Sequence, residues 1–252
     1  MKRTRTLSRQ KSDLELVREI GLLKQDHPFW GYRRVWAYLR YRKEILVNRK
    51  RVYRVMREHH LLVTKQTRNR AVRTPREKPK ASAPKQFWGI DMTKIYVQNW
   101  GWVYTTLVID WYTKKIVGSH SGGRSRAREW LSALNEGLNG EFPRGVEGHN
   151  LSLVSDNGCQ PTSIAFQKEC CQLEIKQIYT SYNNPKGNAE TERVMRTLKE
   201  ELLWLHDWHS EEEVSEAIRK WIVEYNSDYP HSALGYRSPE QFERAYYEQV
   251  AA

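Results

Sequence analysis

The chain has 252 residues, with 42 Lys and Arg against 30 Asp and Glu, a formal charge of +12 and a pI near 9.6. That length suffices for one moderate or two small compact units, and the excess of cations points to an acidic polymer or an anionic surface as partner. A mean hydropathy of −0.80 and the lack of a long apolar run exclude a membrane-spanning helix, and the basic opening MKRTRTLSRQKSD leads into no apolar stretch of the kind a secretory signal has. A cytoplasmic protein is therefore expected.

The charge is unevenly placed. Residues 1–86 hold 25 Lys and Arg against 7 Asp and Glu, a net of +18, and the remainder holds 17 against 23, a net of −6. A front that grips a polyanion, joined to a back that uses carboxylates, is the reading this division supports. The cysteines Cys159, Cys170 and Cys171 form no CxxC pair and are expected as reduced thiols. His59 and His60 have no cysteine nearer than position 159, so a structural zinc site is not expected.

In chain order, Ser12 and Glu15 form a capping-box pattern ahead of Leu16, Val17, Ile20 and Leu23 at helical spacing, in a helix ending before His27-Pro28. A second helix runs from Gly31 to about Arg42, with Val35, Tyr38 and Leu39 on one face and Arg33, Arg34 and Arg40 on the others. Asn48 caps a third, whose stripe is Val52, Val55, Met56 and Leu62 and from which Lys50, Arg54 and Arg57 project. Three short helices with a basic last one read as a helix-turn-helix module over 1–63, the local charge favouring DNA binding over a merely solvated face. Residues 64–86, with eight Lys or Arg, one Glu and three Pro, read as a linker.

From Phe87 the composition turns to strands: FWGIDMTKIYV, WVYTTLVIDWY and KKIVGSH form an antiparallel meander. A helix near 125–138, the strand LSLVS, a helix near 162–171, the strand EIKQIYT and a long helix from about Asn188 then alternate. Residues 211–228 and 238–247 are helical, the second opening at Ser238-Pro239. The expected division is thus 1–63, 64–86, a core over 87–228, and a helical tail over 229–252.

Three carboxylates stand out. Asp91 lies inside a strand, where Asp is depleted. Asp156 follows LSLVS directly, at the carboxyl end of a strand, where α/β sheets place their sites, although Asp-Asn-Gly is also an ordinary turn. Glu192 comes 35 intervening residues later, in the first turns of the long helix. Carboxylates from three elements meeting at one sheet edge suit two divalent cations, which take hard oxygen ligands.

These residues, Trp88-x-x-Asp91-x-Thr93, Ser155-Asp156-Asn157-Gly158 and Gly187-Asn188-Ala189-x-x-Glu192 with Lys199 beyond, resemble the DDE integrase core of bacterial insertion-sequence transposases, in particular the OrfB protein of the IS-three family. The front HPFWGYRRVWAYLR and the tail EYNSDYPHSALGYRSPEQF resemble it too, so the likeness spans nearly the whole chain. The front lacks the His/Cys zinc module of retroviral integrases, and Arg193-Val194 follow the glutamate where the family often has an aromatic residue.

The resemblance implies an α/β, RNase H-like mixed sheet behind an all-α helix-turn-helix domain, with Asp91, Asp156 and Glu192 as catalytic, metal-binding residues. It implies Mg²⁺ or Mn²⁺, two ions per site, and DNA phosphoryl transfer that cleaves element ends and joins them to a target. Asp110 is read as supporting the site rather than binding metal. Expected partners are the terminal inverted repeats, target DNA, further copies of the chain, and an OrfA protein or an OrfAB fusion, in the bacterial cytoplasm at the nucleoid. The competing reading is a DNA-binding protein whose α/β half is inactive or only nucleolytic.

Glu190 and Glu192 lie about 200° apart on a helix, so only one joins the other carboxylates. Arg196 and Lys199, four and seven residues after Glu192, select Glu192, and both are read as phosphate contacts alongside Lys50, Arg54, Arg57, Arg33 and Arg34. Glu190, Glu200 and Glu201 become solvated helix charge, with Gly187-Asn188 as turn and cap. The stripe of that helix is Val194, Met195, Leu198, Leu202 and Leu205.

Overall fold

The computed structural model describes residues 7–63, 80–180 and 187–251. The chain divides into two compact units, Met1–Thr74 with Pro230–Arg237, and Pro75–Tyr229 with Ser238–Ala252. Most of the basic tract 64–86 lies outside the described residues.

The first unit holds α1 (Leu7–Asp26), α2 (Tyr32–Tyr41) and α3 (Arg49–Glu58). Leu16, Ile20, Leu23, Trp30, Val35, Ala37, Leu39, Val52, Val55 and Met56 are buried in it. The helix expected to be capped at Ser12 begins at Leu7, so Ser12 and Glu15 stand inside α1; a capping-box pattern marks a start only where the preceding residues cannot continue the helix. Asn48 does cap α3, its side chain accepting from Lys50 N at 2.9 Å. Asp13 ties α1 to α3 by accepting from Arg51 Nε at 2.9 Å and from Arg54 Nη2 at 2.9 and 3.1 Å. Pro230–Arg237 joins this unit as a short loop closed by a His231–Arg237 bridge, and Tyr236 meets Trp36 edge-on at 5.7 Å. The segment 229–252, expected as one helical tail, is thus shared between the units.

The second unit is built on five strands, β1 (Phe87–Val97), β2 (Gly101–Asp110), β3 (Ile116–Gly122), β4 (Ser152–Ser155) and β5 (Lys176–Tyr179), in the order β3-β2-β1-β4-β5. The meander β1-β2-β3 is antiparallel, and β4 and β5 add in parallel. One face of the sheet carries α4 (Ala127–Glu141) and α5 (Ile164–Gln172), burying Trp88, Ile90, Val108, Trp130, Leu134, Leu153 and Phe166. Packed against the sheet as well are α6 (Ala189–Leu198) and α7 (Glu211–Asp228), and α8 (Pro239–Ala251) follows. The edge strand β3 is blunted by Asn226 of α7, whose side-chain amide donates to Ile116 O at 2.8 Å and accepts from Ile116 N at 2.9 Å. All three cysteines are free thiols, Cys170 buried.

Lys115 bridges Glu141 (2.7 Å) and Glu243 (2.8 Å), and Lys85 also pairs with Glu141 (3.0 Å). Burial pushes the Glu141 carboxyl up, but the two lysines outweigh it and hold it below the usual carboxylate range. A carboxyl depressed in the folded state contributes stability above its unfolded pKa, about 4.3, which is lost as pH falls through the folded value. Glu141→Gln is expected to cost roughly 1–3 kcal/mol near neutral pH, between the values for exposed and buried pairs. The variant should also lose less stability than the native chain between pH 5 and 3. Denaturant melts across that range check it, and parallel curves would contradict it.

Candidate active site

Asp91 lies on β1 opposite Leu107 of β2. The parallel pairing of β1 with β4 ends at Gly89 and Val154. Continuing that register by two residues brings Asp91 level with Asp156, just past the end of β4. Asp156 is held in an Asx turn, Oδ1 accepting from Gly158 N at 3.0 Å, and Asn157 Nδ2 fastens the loop to Thr180 O at 2.9 Å.

Glu192 is exposed in the first turns of α6. The start of α6 comes close to β1 because Gly89, on the same strand face as Asp91, has no side chain. A Cβ there would overlap Thr191 Oγ1 and Trp111 Nε1 and stand 3.2 Å from Asn188 Oδ1. The turn after β2 holds α6 from the other side, since Trp111 Nε1 donates to Thr191 Oγ1 at 3.0 Å and Lys114 pairs with Glu190 at 2.9 Å. Asp110 sets that turn: Oδ1 accepts from Tyr112 N and Thr113 N (2.8 and 2.9 Å), and Oδ2 from Lys85 N and Trp88 Nε1 (2.6 and 3.1 Å). Asp110 therefore acts through the turn on α6.

Burial pushes the Asp91 carboxyl up to about 6; the Met92 N–H bond and the Lys199 charge pull it down, and the charges of Asp156 and Glu192 raise it further. Residues from β1, the β4–α5 loop and α6 thus share one electrostatic neighbourhood. Two buried polar atoms without a partner among the described residues, Thr93 Oγ1 and Asn188 Oδ1, belong to the same region. Such atoms are rare and call for an explanation, a bound ion or water among them. Among the described residues no group of three His, Cys, Asp or Glu side chains is close enough to hold a metal ion. The donor set still fits one, being hard oxygen ligands whose mutual repulsion a cation relieves.

Several expectations about the α6 region need correction. Asn188 occupies the cap position but makes no side-chain capping bond. Glu190 is paired with Lys114, and Glu201 is buried, accepting from Tyr229 OH at 2.9 Å, so neither is solvated charge. Arg196 pairs with Glu200 at 2.6 Å. The helix passes into a π-helical turn over Lys199–Leu203, which delays the inward-facing register by one residue. Leu203 is buried, therefore, and Leu205 is exposed.

Of the other expected DNA contacts, Lys50 and Arg57 are exposed on α3 and Arg33 on α2. Arg34 lies 5.7 Å from the Trp30 ring centroid. Arg54 is held by Asp13 and by Glu58 at 3.0 Å. Its charge cluster joins α1 to α3. Sequence reasoning missed Gly89, whose signal was a glycine inside an otherwise apolar strand.

Integrase core domain models match residues 81–185, which include Asp91 and Asp156, and residues 173–239, which include Glu192; an HTH-like domain model matches residues 8–70. Among solved structures, the simian T-cell lymphotropic virus intasome in complex with PP2A regulatory subunit B56 gamma aligns over 89% of this chain and 74% of its own, at TM-score 0.55 and 15% identity. The HTLV-2 integrase catalytic core domain in complex with magnesium aligns over 65% and 99%, at 0.50 and 17%. Fold and matches define an RNase H-like integrase core with a helix-turn-helix-like domain ahead of it.

The transposase for insertion sequence element IS904 of Lactococcus lactis is 31% identical over 66% of this chain and 64% of that protein. The transposase for IS629 of Shigella sonnei is 28% identical over 96% and 83%, and transposase InsD of IS2 from Escherichia coli is 24% identical over 94% and 81%. The chain belongs to the integrase-core transposases of bacterial insertion sequences, in the IS-three OrfB family. It spans just under two thirds of the length of the IS904 transposase.

Proposed function

We propose that the chain cleaves the ends of an insertion element and joins them to target DNA, with Asp91, Asp156 and Glu192 holding Mg²⁺ or Mn²⁺, two ions per site. The observation that carries this reading is the parallel register that brings Asp91 level with Asp156, with the start of α6, and so Glu192, seated on β1 at Gly89 beside them. Bound divalent cations supply Lewis-acid activation of the attacking oxygen and charge stabilisation at the leaving oxygen. Asp91 serves as a ligand in its ionised form, so cation binding weakens as pH falls below about 6. Lys199, whose charge reaches Asp91, places a cation beside the reacting phosphate. Asp110 and Gly89 keep α6 where Glu192 meets the sheet.

The helix-turn-helix-like unit over 1–63 reads the terminal repeats, with Lys50, Arg57, Arg33 and Arg34 as its phosphate contacts, and residues 64–86 link it to the core. Pairing two element ends requires more than one copy, and an OrfA protein or OrfAB fusion completes end recognition in the cytoplasm, at the nucleoid. Purified chain given a labelled element-end duplex and Mg²⁺ is expected to produce 3′-end cleavage and strand transfer. Full activity in Asp156→Ala would overturn the site, and end-independent hydrolysis without joining would make the chain a nuclease.

A further inference from the structure

The tract Gly123-Arg124-Ser125-Arg126-Ala127-Arg128 joins β3 to α4 and places arginine at every second position. All three arginines are exposed, and among the described residues none forms an ion pair with a carboxylate, although the Arg126 charge acts on Glu129. That sets them apart from Arg51, Arg54, Lys114, Lys115 and Arg196, each held by a carboxylate. Glu129, the neighbouring acid, is used in capping α4 and accepts from Arg126 N at 2.8 Å.

The tract is also fixed in place. Gln160, four residues after Asp156, donates Nε2 to Ser125 O at 3.1 Å, and Trp130 Nε1 donates to Ser125 Oγ at 3.2 Å. The loop that carries Asp156 and the tract that carries the arginines are therefore one hydrogen-bonded assembly at one end of the sheet.

The geometry points to a second DNA-binding surface: Arg124, Arg126 and Arg128 bind phosphates of the strand flanking the phosphodiester held at Asp91 and Asp156. Guanidinium groups take phosphate oxygens in pairs, which suits them to a nucleic-acid backbone. The proposal rests on the reading of the carboxylate site as one that cuts DNA.

The test is fluorescence anisotropy of the full chain, without divalent metal, on an element-end duplex and a scrambled duplex across a salt series. The triple variant Arg124→Gln, Arg126→Gln, Arg128→Gln is expected to bind both duplexes more weakly, with a log–log salt slope lower by roughly two to three, at about 0.9 for each phosphate no longer neutralised. The triple Arg→Lys variant is expected to keep most of the slope. Thermal unfolding of each variant controls for folding; should the triple Gln variant unfold early, the single Gln variants replace it, each expected to lower the slope by about one.

An unchanged slope and affinity in the Gln variants, with the native chain binding normally, overturns the proposal and leaves the carboxylate site standing. Retained cleavage by Asp156→Ala removes the site instead, whatever the arginine variants do.

Discussion

Asp91→Asn is expected to abolish strand cleavage while making the second unit harder to unfold. On the proposed assignment, loss of a metal-binding carboxylate removes several kcal/mol of transition-state stabilisation, so activity should fall by roughly 10³-fold or more. Stability moves the other way, because burial and the like charges of Asp156 and Glu192 raise the Asp91 carboxyl from 3.8 to about 6. Folding therefore disfavours the charged form, and at neutral pH the ionised side chain is a burden of up to about 3 kcal/mol. A gain of roughly 1–3 kcal/mol is therefore expected on removing the charge.

The sign fixes the pH profile. The penalty is fully present above the folded pKa and absent below the unfolded one, so it is relieved in the native chain as pH falls from about 7 to about 4, and Asp91→Asn has no such relief. Magnesium should raise the melting temperature of the native chain and leave the variant unmoved. Thermal melts at several pH values, with and without chelator, read all of this. A variant that melts like the native chain in every buffer and still cleaves DNA would remove Asp91 from the site.

The second large effect is expected from one methyl group. In Gly89→Ala the added carbon overlaps Thr191 Oγ1 and Trp111 Nε1, both buried and bonded to each other at 3.0 Å. Neither is the free end of a flexible side chain, so α6 has to move off β1. Overpacking of this kind costs roughly 1–3 kcal/mol. Glu192 sits one residue after Thr191, so it retreats from Asp91, and a displacement near 1 Å lowers activity by about 10²-fold. The Asp91 carboxyl should titrate lower in the variant, because one of the charges raising it has withdrawn. Carboxyl NMR titration together with single-turnover cleavage checks both parts. Native melting and native rate in Gly89→Ala would show that α6 is not seated on that glycine.

Much of the fold was legible along the chain because its signals are local. Period-two runs of β-branched and aromatic residues marked β1 to β3, and apolar recurrence marked the helices. Asn48 as a cap could be read from its side chain and the helix after it. Ser12 could not, because residues 7–11 also continue a helix and the pattern alone does not exclude that. The stripe of α6 held through Leu198 and then slipped, since a π-helical turn inserts a residue that no periodicity announces.

By itself, the sequence determined the order and type of the elements, the segregation of basic from acidic residues, and the strand and helix positions that carry Asp91, Asp156 and Glu192. Those properties follow from composition and short-range spacing. Only the tertiary structure decided which charges are free to act. Arg54 is taken up by Asp13, 41 residues away, Glu201 by Tyr229 across 28, and Glu190 by Lys114. It also decided that Asp91 comes level with Asp156 through a parallel register and that Gly89 admits α6 to the sheet. Each of these depends on contacts between segments far apart in the chain, where the pairing is chosen by the packing of the whole unit and leaves no mark in local spacing.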